Sequence, residues 1–323
     1  MPFRTAFLLI AVTLFAGAAH SQTVYTFPDD DFTPVYTFIN SATKTLDMTM
    51  YELVDTTAEN DLVALAKKGV VVRVILDQNL EKTSNTPAYN TLTAGGVSVH
   101  WANPTYSATH QKTITVDDDS SMILTANLTS EYYATTRDFA VIDTNQTNVT
   151  AIETTFGKDF TNTAYTPSKG YSLIWSPTDS ATDLEAIINA ATKTLTIENE
   201  EMSDATIVSD LEAAAERGVV VHVIMTNDDN TYASEFNALK AAGVSVVTYA
   251  DSGTILYIHA KVILADLGVS GAEKVFVGSE NFSVASLTEN RELGLTMATA
   301  SILNGINATL TSDFNGGTPW VTT

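Results

Sequence analysis

The sequence predicts a layered α/β chain of two similar domains, each a mixed β-sheet flanked by helices. Three observations carry that expectation. An internal repeat runs at an offset of 149 residues, helix-period segments alternate with β-branched runs in each copy, and 323 residues suffice for two ordinary domains. Internal repeats decide architecture ahead of propensity, and this period is far too long for a solenoid. Ala42–Leu46 (ATKTL) recurs as Ala191–Leu195, Gly69–Ile75 (GVVVRVI) recurs as Gly218–Ile224 (GVVVHVI), and Pro28 falls on Pro177.

In chain order, residues 1–21 read as an export signal. Arg4 supplies positive charge, Phe7 to Phe15 is an apolar core, and Ala16 to Ser21 offers small residues for cleavage near Ser21 or Gln22. The apolar run is too short to cross about 30 Å of hydrocarbon, and no later segment is long and apolar enough to do so. The mature chain is therefore expected to be soluble and outside the cytoplasm, secreted or periplasmic. The first domain is expected over 22–166 and the second over 167–323, joined by a linker at Ala164 to Gly170.

Each domain opens with a short apolar strand, Val24 to Phe27 and Leu173 to Trp175. A helix follows, with Val35, Phe38 and Ile39, and then Leu184, Ile187 and Ile188, at helical spacing. Strands come next near Leu46 to Tyr51 and Leu195 to Glu198. Helices over Glu59 to Lys68 and Ser209 to Arg217 are closed by Gly69 and Gly218. Val70 to Leu76 and Val219 to Met225 are β-branched runs, the pattern of a strand buried on both faces. A further helix leads to a Gly-Val-Ser-Val strand near Gly96 and Gly243. Thr113 to Val116 and Val262 to Leu264 are expected strands carrying the motifs below. They turn back through Asp118 to Ser120, or through the longer loop Leu267 to Glu273, into Met122 to Leu124 and Lys274 to Val277.

Those hairpins carry a repeated chemical phrase. His110-x-Lys112-x4-Asp117 and His259-x-Lys261-x4-Asp266 are followed by Asn127 and Asn281, and 11 residues beyond each Asn by Asp138 and Glu292. On a strand, side chains alternate faces, so each His shares a face with its Lys, and the return strand brings Asn beside them. Attack on a phosphodiester needs a nucleophile, a proton donor for the leaving alcohol and donors for the phosphoryl oxygens. A neutral imidazole attacks phosphorus, and a second, protonated one serves the leaving group and then takes a proton from water. Lys112, Lys261, Asn127 and Asn281 supply charge and N–H donors. Asp138 and Glu292 are expected to hold the far ring nitrogens. Asp117 and Asp266 are expected to brace strand ends.

One His near a Lys is ordinarily a partly buried structural histidine. Here the chain beyond residue 21 has four histidines, and two occupy equivalent repeat positions. His100 and His222 keep the structural reading, since His222 aligns with Arg73. A zinc site is disfavoured, because each candidate His is paired with a cation and the chain has no cysteine. The chemistry calls for no metal and no cofactor.

The motifs resemble those of the phospholipase D superfamily, His-x-Lys-x4-Asp followed by Gly-Ser-x-Asn. The resemblance covers nearly the whole mature chain, including the helix and the Gly-Val-Val-Val-x-Val-Ile strand of each half. It implies two domains related by a pseudo-twofold, one active site at their interface, a phosphohistidine intermediate and no metal. It also implies His110 as nucleophile and His259 as general acid, although near-symmetric half-sites permit the reverse. Gly278-Ser279-Glu280-Asn281 keeps the family pattern, while the first copy reads Leu124-Thr125-Ala126-Asn127. Thr125 retains the hydroxyl that Ser279 supplies, and loss of Gly is expected to narrow one approach to the phosphate.

Removing the signal leaves 15 basic residues against 38 acidic, a charge of −23. That field repels polyanions, so nucleic acid is disfavoured as a substrate. An exported acidic chain fits a secreted phospholipase D that hydrolyses phospholipid head groups, phosphatidylcholine to phosphatidate and choline. Its partner is then a phospholipid met in transient contact with a membrane surface. No oligomer is required, because both half-sites lie in one chain. The alternatives are a secreted metal-independent nuclease and a catalytically dead binding protein, the latter opposed by both intact His–Lys pairs. Trp101, Tyr106, Tyr249 and Tyr257 lie near the motifs and would either contact a head group or simply pack. The Asn-x-Ser/Thr triplets at Asn127, Asn145, Asn148, Asn281 and Asn307 follow from a Thr-rich composition.

Overall fold

The computed structural model describes residues 21–253 and 256–322, so the expected export signal lies outside the described residues except for Ser21. The first half runs β1 (Gln22–Phe27), α1 (Thr33–Asn40), β2 (Thr45–Met50), β3 (Leu53–Val54), α2 (Thr56–Lys67), β4 (Val71–Leu76), α3 (Lys82–Ala94) and β5 (Ser98–Trp101). It continues through β6 (Thr113–Val116), β7 (Ser120–Leu124), β8 (Leu128–Thr129), β9 (Thr136–Asp143) and α4 (Gln146–Phe160). The second half runs β10 (Leu173–Ser176), α5 (Ser180–Ala190), β11 (Thr194–Glu198), α6 (Ala205–Glu216), β12 (Val220–Asn227), α7 (Ala233–Ala241) and β13 (Ser245–Ala250). It closes with β14 (Tyr257–Ile258), β15 (Val262–Ala265), β16 (Lys274–Gly278), α8 (Val284–Thr288), β17 (Glu292–Met297), α9 (Ala300–Gly316) and β18 (Thr318–Pro319).

The repeat shows in how the elements start and stop. Asp55 caps α2 by accepting from the backbone of Thr57 and Ala58, and Asp204 caps α6 through Thr206 and Ile207. Gly69 and Gly218 end these helices at φ of 93° and 88°, a region costly for a residue with a Cβ.

Two mixed sheets result. In the first, β2, β4 and β5 are parallel, and β6, β7, β9 and β1 continue it antiparallel; the second repeats the plan with β11, β12 and β13, then β15, β16, β17 and β10. One apolar cluster fills the space under α1–α3, and another that under α5–α7. A third mixes Ile123, Phe139 and Ile152 from the first half with Trp175, Val262 and Leu293 from the second, so the halves share a core. At about 25 cal/mol per Å² of buried apolar surface, side chains of this size hold the interface strongly.

The strands expected to be buried on both faces are only partly so. Val71 and Val220 open β4 and β12 and are 57% and 55% exposed. Val72, Val74 and Leu76 pack under the helices, whereas Arg73 faces α4, with its guanidinium carbon 5.0 Å from the Phe156 ring centroid. The covering elements fall short of the strand's first residue. Among the described residues, no helix is long and apolar enough to cross a membrane.

Candidate active site

Each His–Lys pair lies in the extended segment just before a strand, not on the strand as the alternation suggested. The reason is that these segments pair with the opposite half. His110 and Gln111 donate backbone N–H bonds to the Arg291 carbonyl at 2.9 and 3.0 Å. Reciprocally, β14 pairs with β9, and the His259 N–H reaches the Arg137 carbonyl at 3.2 Å. Lys112 and Lys261 are fully buried, and each Nζ donates to the carbonyl of its own motif histidine, at 2.8 and 2.5 Å.

The carboxylates are exchanged between halves. His110 Nδ1 is 2.8 Å from Glu292 Oε2, and His259 Nδ1 is 2.8 Å from Asp138 Oδ1. A carboxylate at Nδ1 keeps the proton there and leaves Nε2 with its lone pair or its transferable proton. The supports behind them differ. Thr125 Oγ1 donates to Asp138 Oδ1 at 2.6 Å. In the other half Ser286, not Ser279, donates to Glu292 Oε1, also at 2.6 Å. Ser279 instead accepts from the Leu293 N–H with its hydroxyl, and its carbonyl lies 3.2 Å from His110 Nδ1.

The expected narrowing at Leu124 is not found. Leu124 is buried in the first-half core, and a Cβ on Gly278 would strike Glu280, Gly294 and Phe276 at 2.3–2.7 Å. The Gly/Leu difference therefore concerns packing behind the site.

Charge explains the state of the groups. Burial and the Lys112 ammonium hold the His110 imidazole below its ordinary pKa despite Glu292, so it is neutral near pH 7. Burial would raise Glu292, but His110, Lys112 and the Ser286 hydroxyl outweigh it, and its carboxyl is held down. Burial and the facing charge of Lys261 push Lys112 down to about 7. The crossed contacts of His110 with Glu292 and of His259 with Asp138 make one site shared by both halves. Two buried cations facing each other are costly unless an anion joins them, which is the environment a phosphoryl group would meet.

Asn127 lines a cavity of about 30 Å³ with Asp138, His259, Tyr132 and Tyr133, so it serves the histidine of the other copy. Its Oδ1 is buried without a partner. Asn281 Nδ2 lies 3.3 Å from Glu200 Oε2. Asp117 and Asp266 take no part in the site. In left-handed conformations, at φ of 53° and 51°, they accept from the backbone N–H groups of 43–45 and 192–194 and so fix the starts of β2 and β11. Of the motif-proximal aromatics, Trp101 stacks on Tyr89, Tyr249 bonds the Asp313 carbonyl, and Tyr106 contacts Arg291. Tyr257 reaches the site, through Glu200 at 3.3 Å. His100 stacks on Phe160 and His222 on Phe314.

Besides Ser286, two residues outside the motifs stand in the site. Glu200 Oε2 sits 2.9 Å from Lys261 Nζ and 3.5 Å from His259 Nε2. Burial would raise its carboxyl, but Lys261 and His259 hold it well below the usual range. Its repeat counterpart is Tyr51, whose ring is edge-on to His110 at 4.5 Å with Lys112 Nζ 5.0 Å from its centroid. Both follow the carboxyl end of a parallel strand, where α/β sheets gather their ligands. That position was the available signal, and the Tyr/Glu mismatch concealed it.

A family model described as cardiolipin synthase, PLD-like domain, matches residues 35–160 and 184–315, one stretch in each half. The chain belongs to the phospholipase D-like family. Members of the phospholipase D superfamily act on phosphodiester bonds. This phospholipase D-like chain superposes on phosphatidylserine synthase from Haemophilus influenzae Rd KW20 with a TM-score of 0.72 at 12% identity, covering 93% of this chain and 87% of that one. Polyphosphate kinase from Porphyromonas gingivalis gives 0.70 at 14% identity over 90% of this chain, which spans only 50% of the kinase. Yeast tyrosyl-DNA phosphodiesterase gives 0.50 at 11% identity, covering 85% and 88%. These likenesses establish the shared fold. No curated protein matches the sequence.

Proposed function

We propose that this chain is a secreted phosphodiesterase of the phospholipase D type that hydrolyses phosphatidylcholine to phosphatidate and choline. The observation that carries the reading is the pair of histidines, each tied at Nδ1 to a carboxylate of the opposite half, beside two buried lysines. His110 Nε2 attacks phosphorus, and the P–O bond to the head group breaks as His259 gives that oxygen its proton. A phosphohistidine on His110 results. Water then attacks phosphorus, yields its proton to His259, and releases phosphatidate with His110 restored. Lys112, Lys261, Asn127 and Asn281 steady the phosphoryl oxygens. Arg4 and the apolar run from Phe7 support export, and a membrane surface supplies the substrate.

The test is choline release from phosphatidylcholine vesicles by the purified chain, beside His110→Ala and His259→Ala, with and without chelator. Release that needs both histidines and survives chelation is expected. Substantial release by either variant would refute the shared site, and a loss restored by a divalent ion would overturn the metal-free route.

A further inference from the structure

At one equivalent position the two half-sites differ in charge. Glu200 meets three motif groups of its own half, Lys261 at 2.9 Å, His259 Nε2 at 3.5 Å and Asn281 at 3.3 Å. The other half offers the uncharged Tyr51 at the equivalent place, against His110. A phosphodiester seated on Lys261 and Asn281 must take the positions that Glu200 Oε2 holds. The displaced carboxylate stays tethered beside His259, and a substrate bearing only its phosphate charge would face it uncompensated.

A cation on the departing alcohol removes that conflict, and the surroundings suit one. Tyr257 donates to Glu200 Oε1 at 3.3 Å. Glu201 lies 3.4 Å from Asn281 Nδ2. Carboxylates with tyrosine rings are what an ammonium group recognises. The side is also the appropriate one, since His259 protonates the leaving alcohol.

We infer that Glu200 is a specificity-determining residue that selects phosphodiesters whose leaving group is an amino alcohol, the ammonium replacing Lys261 as its counter-ion. The inference rests on the phospholipase D reading above. An uncharged glycerol head group gives Glu200 no partner, and a second anion is repelled.

The experiment compares kcat/KM for head-group release from monomeric dihexanoyl phosphatidylcholine and dihexanoyl phosphatidylglycerol, with bis(p-nitrophenyl) phosphate as a substrate lacking either head group. The wild-type chain should prefer the choline lipid. Glu200→Gln should lower the choline-to-glycerol ratio by about tenfold or more, while Glu200→Asp should keep the preference. Hydrolysis of all three substrates with a ratio unmoved by Glu200→Gln would overturn the inference and leave the phosphodiesterase reading standing. No His259-dependent cleavage of any substrate would overturn both. Should the variants not fold, inhibition of the wild-type chain decides: choline should compete well below the concentration at which glycerol does, and equal inhibition overturns the inference.

Discussion

Exchanging Glu292 for Gln keeps the side chain's shape and removes its charge. Oε2 lies 2.8 Å from His110 Nδ1, and Oε1 accepts from Ser286 Oγ at 2.6 Å and Asn290 Nδ2 at 3.0 Å. An amide placed there must turn its NH2 toward one of these sides. Toward His110 it forces the ring proton onto Nε2 and silences the attacking atom. Toward Asn290 it opposes a group that can only donate. The ring also gains positive charge as Nε2 bonds to phosphorus. A carboxylate at 2.8 Å is worth about 6 kcal/mol to that charge at an effective dielectric of about 20. Repacking and water recover part of it, so we expect kcat to fall about 10²–10⁴-fold, as when other histidine-orienting carboxylates are neutralised. Initial rates with bis(p-nitrophenyl) phosphate, beside a melting curve to confirm folding, measure the effect. A folded Glu292→Gln variant within about fivefold of wild-type kcat would refute the assigned role of Glu292.

Other perturbations separate chemistry from scaffold. Asp266→Ala strips the backbone of 192–194 of its acceptor and should cost about 2–4 kcal/mol in denaturant unfolding, with kcat per folded molecule within about twofold of wild type; a collapse of kcat in the folded fraction would return this Asp to the site. Lys112 is depressed to about 7 from 10.5 in the folded chain. Between those values the unfolded chain holds the extra proton, so this group makes stability rise with pH, and below about 7 the buried charge is a full cost. Lys112→Met should therefore abolish turnover yet raise the melting temperature at pH 6, the gain shrinking toward pH 10. A variant less stable at pH 6 would contradict the facing-cation description.

The duplicated His-x-Lys phrase singled out residues that the fold brings together, because two copies at one offset are hard to produce by chance. The elements were legible for a related reason: caps such as Asp55 and Asp204 and stops such as Gly69 and Gly218 are local signals written twice. What depended on the second half was not legible. That His110 takes its carboxylate from Glu292 and His259 from Asp138 is a matter of docking between sheets, for which the chain carries no local cue. The place of the motif ahead of β6 and β15 has the same origin, since Arg291 and Arg137 carbonyls hold those segments. Ser286 has no repeat counterpart to announce it, and the counterpart of Glu200 is a tyrosine.

The crossed carboxylates also bear on how such a site can change over time. In a symmetric homodimer, one gene position appears at two places around the reaction centre, so any substitution alters both sides together. Here each position occurs once. Tyr51 and Glu200 can therefore follow separate histories while the exchanged pairs keep the halves mutually dependent. Fusion converts a palindromic pocket into one with an entrance and an exit. A substrate with unlike ends can then be gripped in a single orientation.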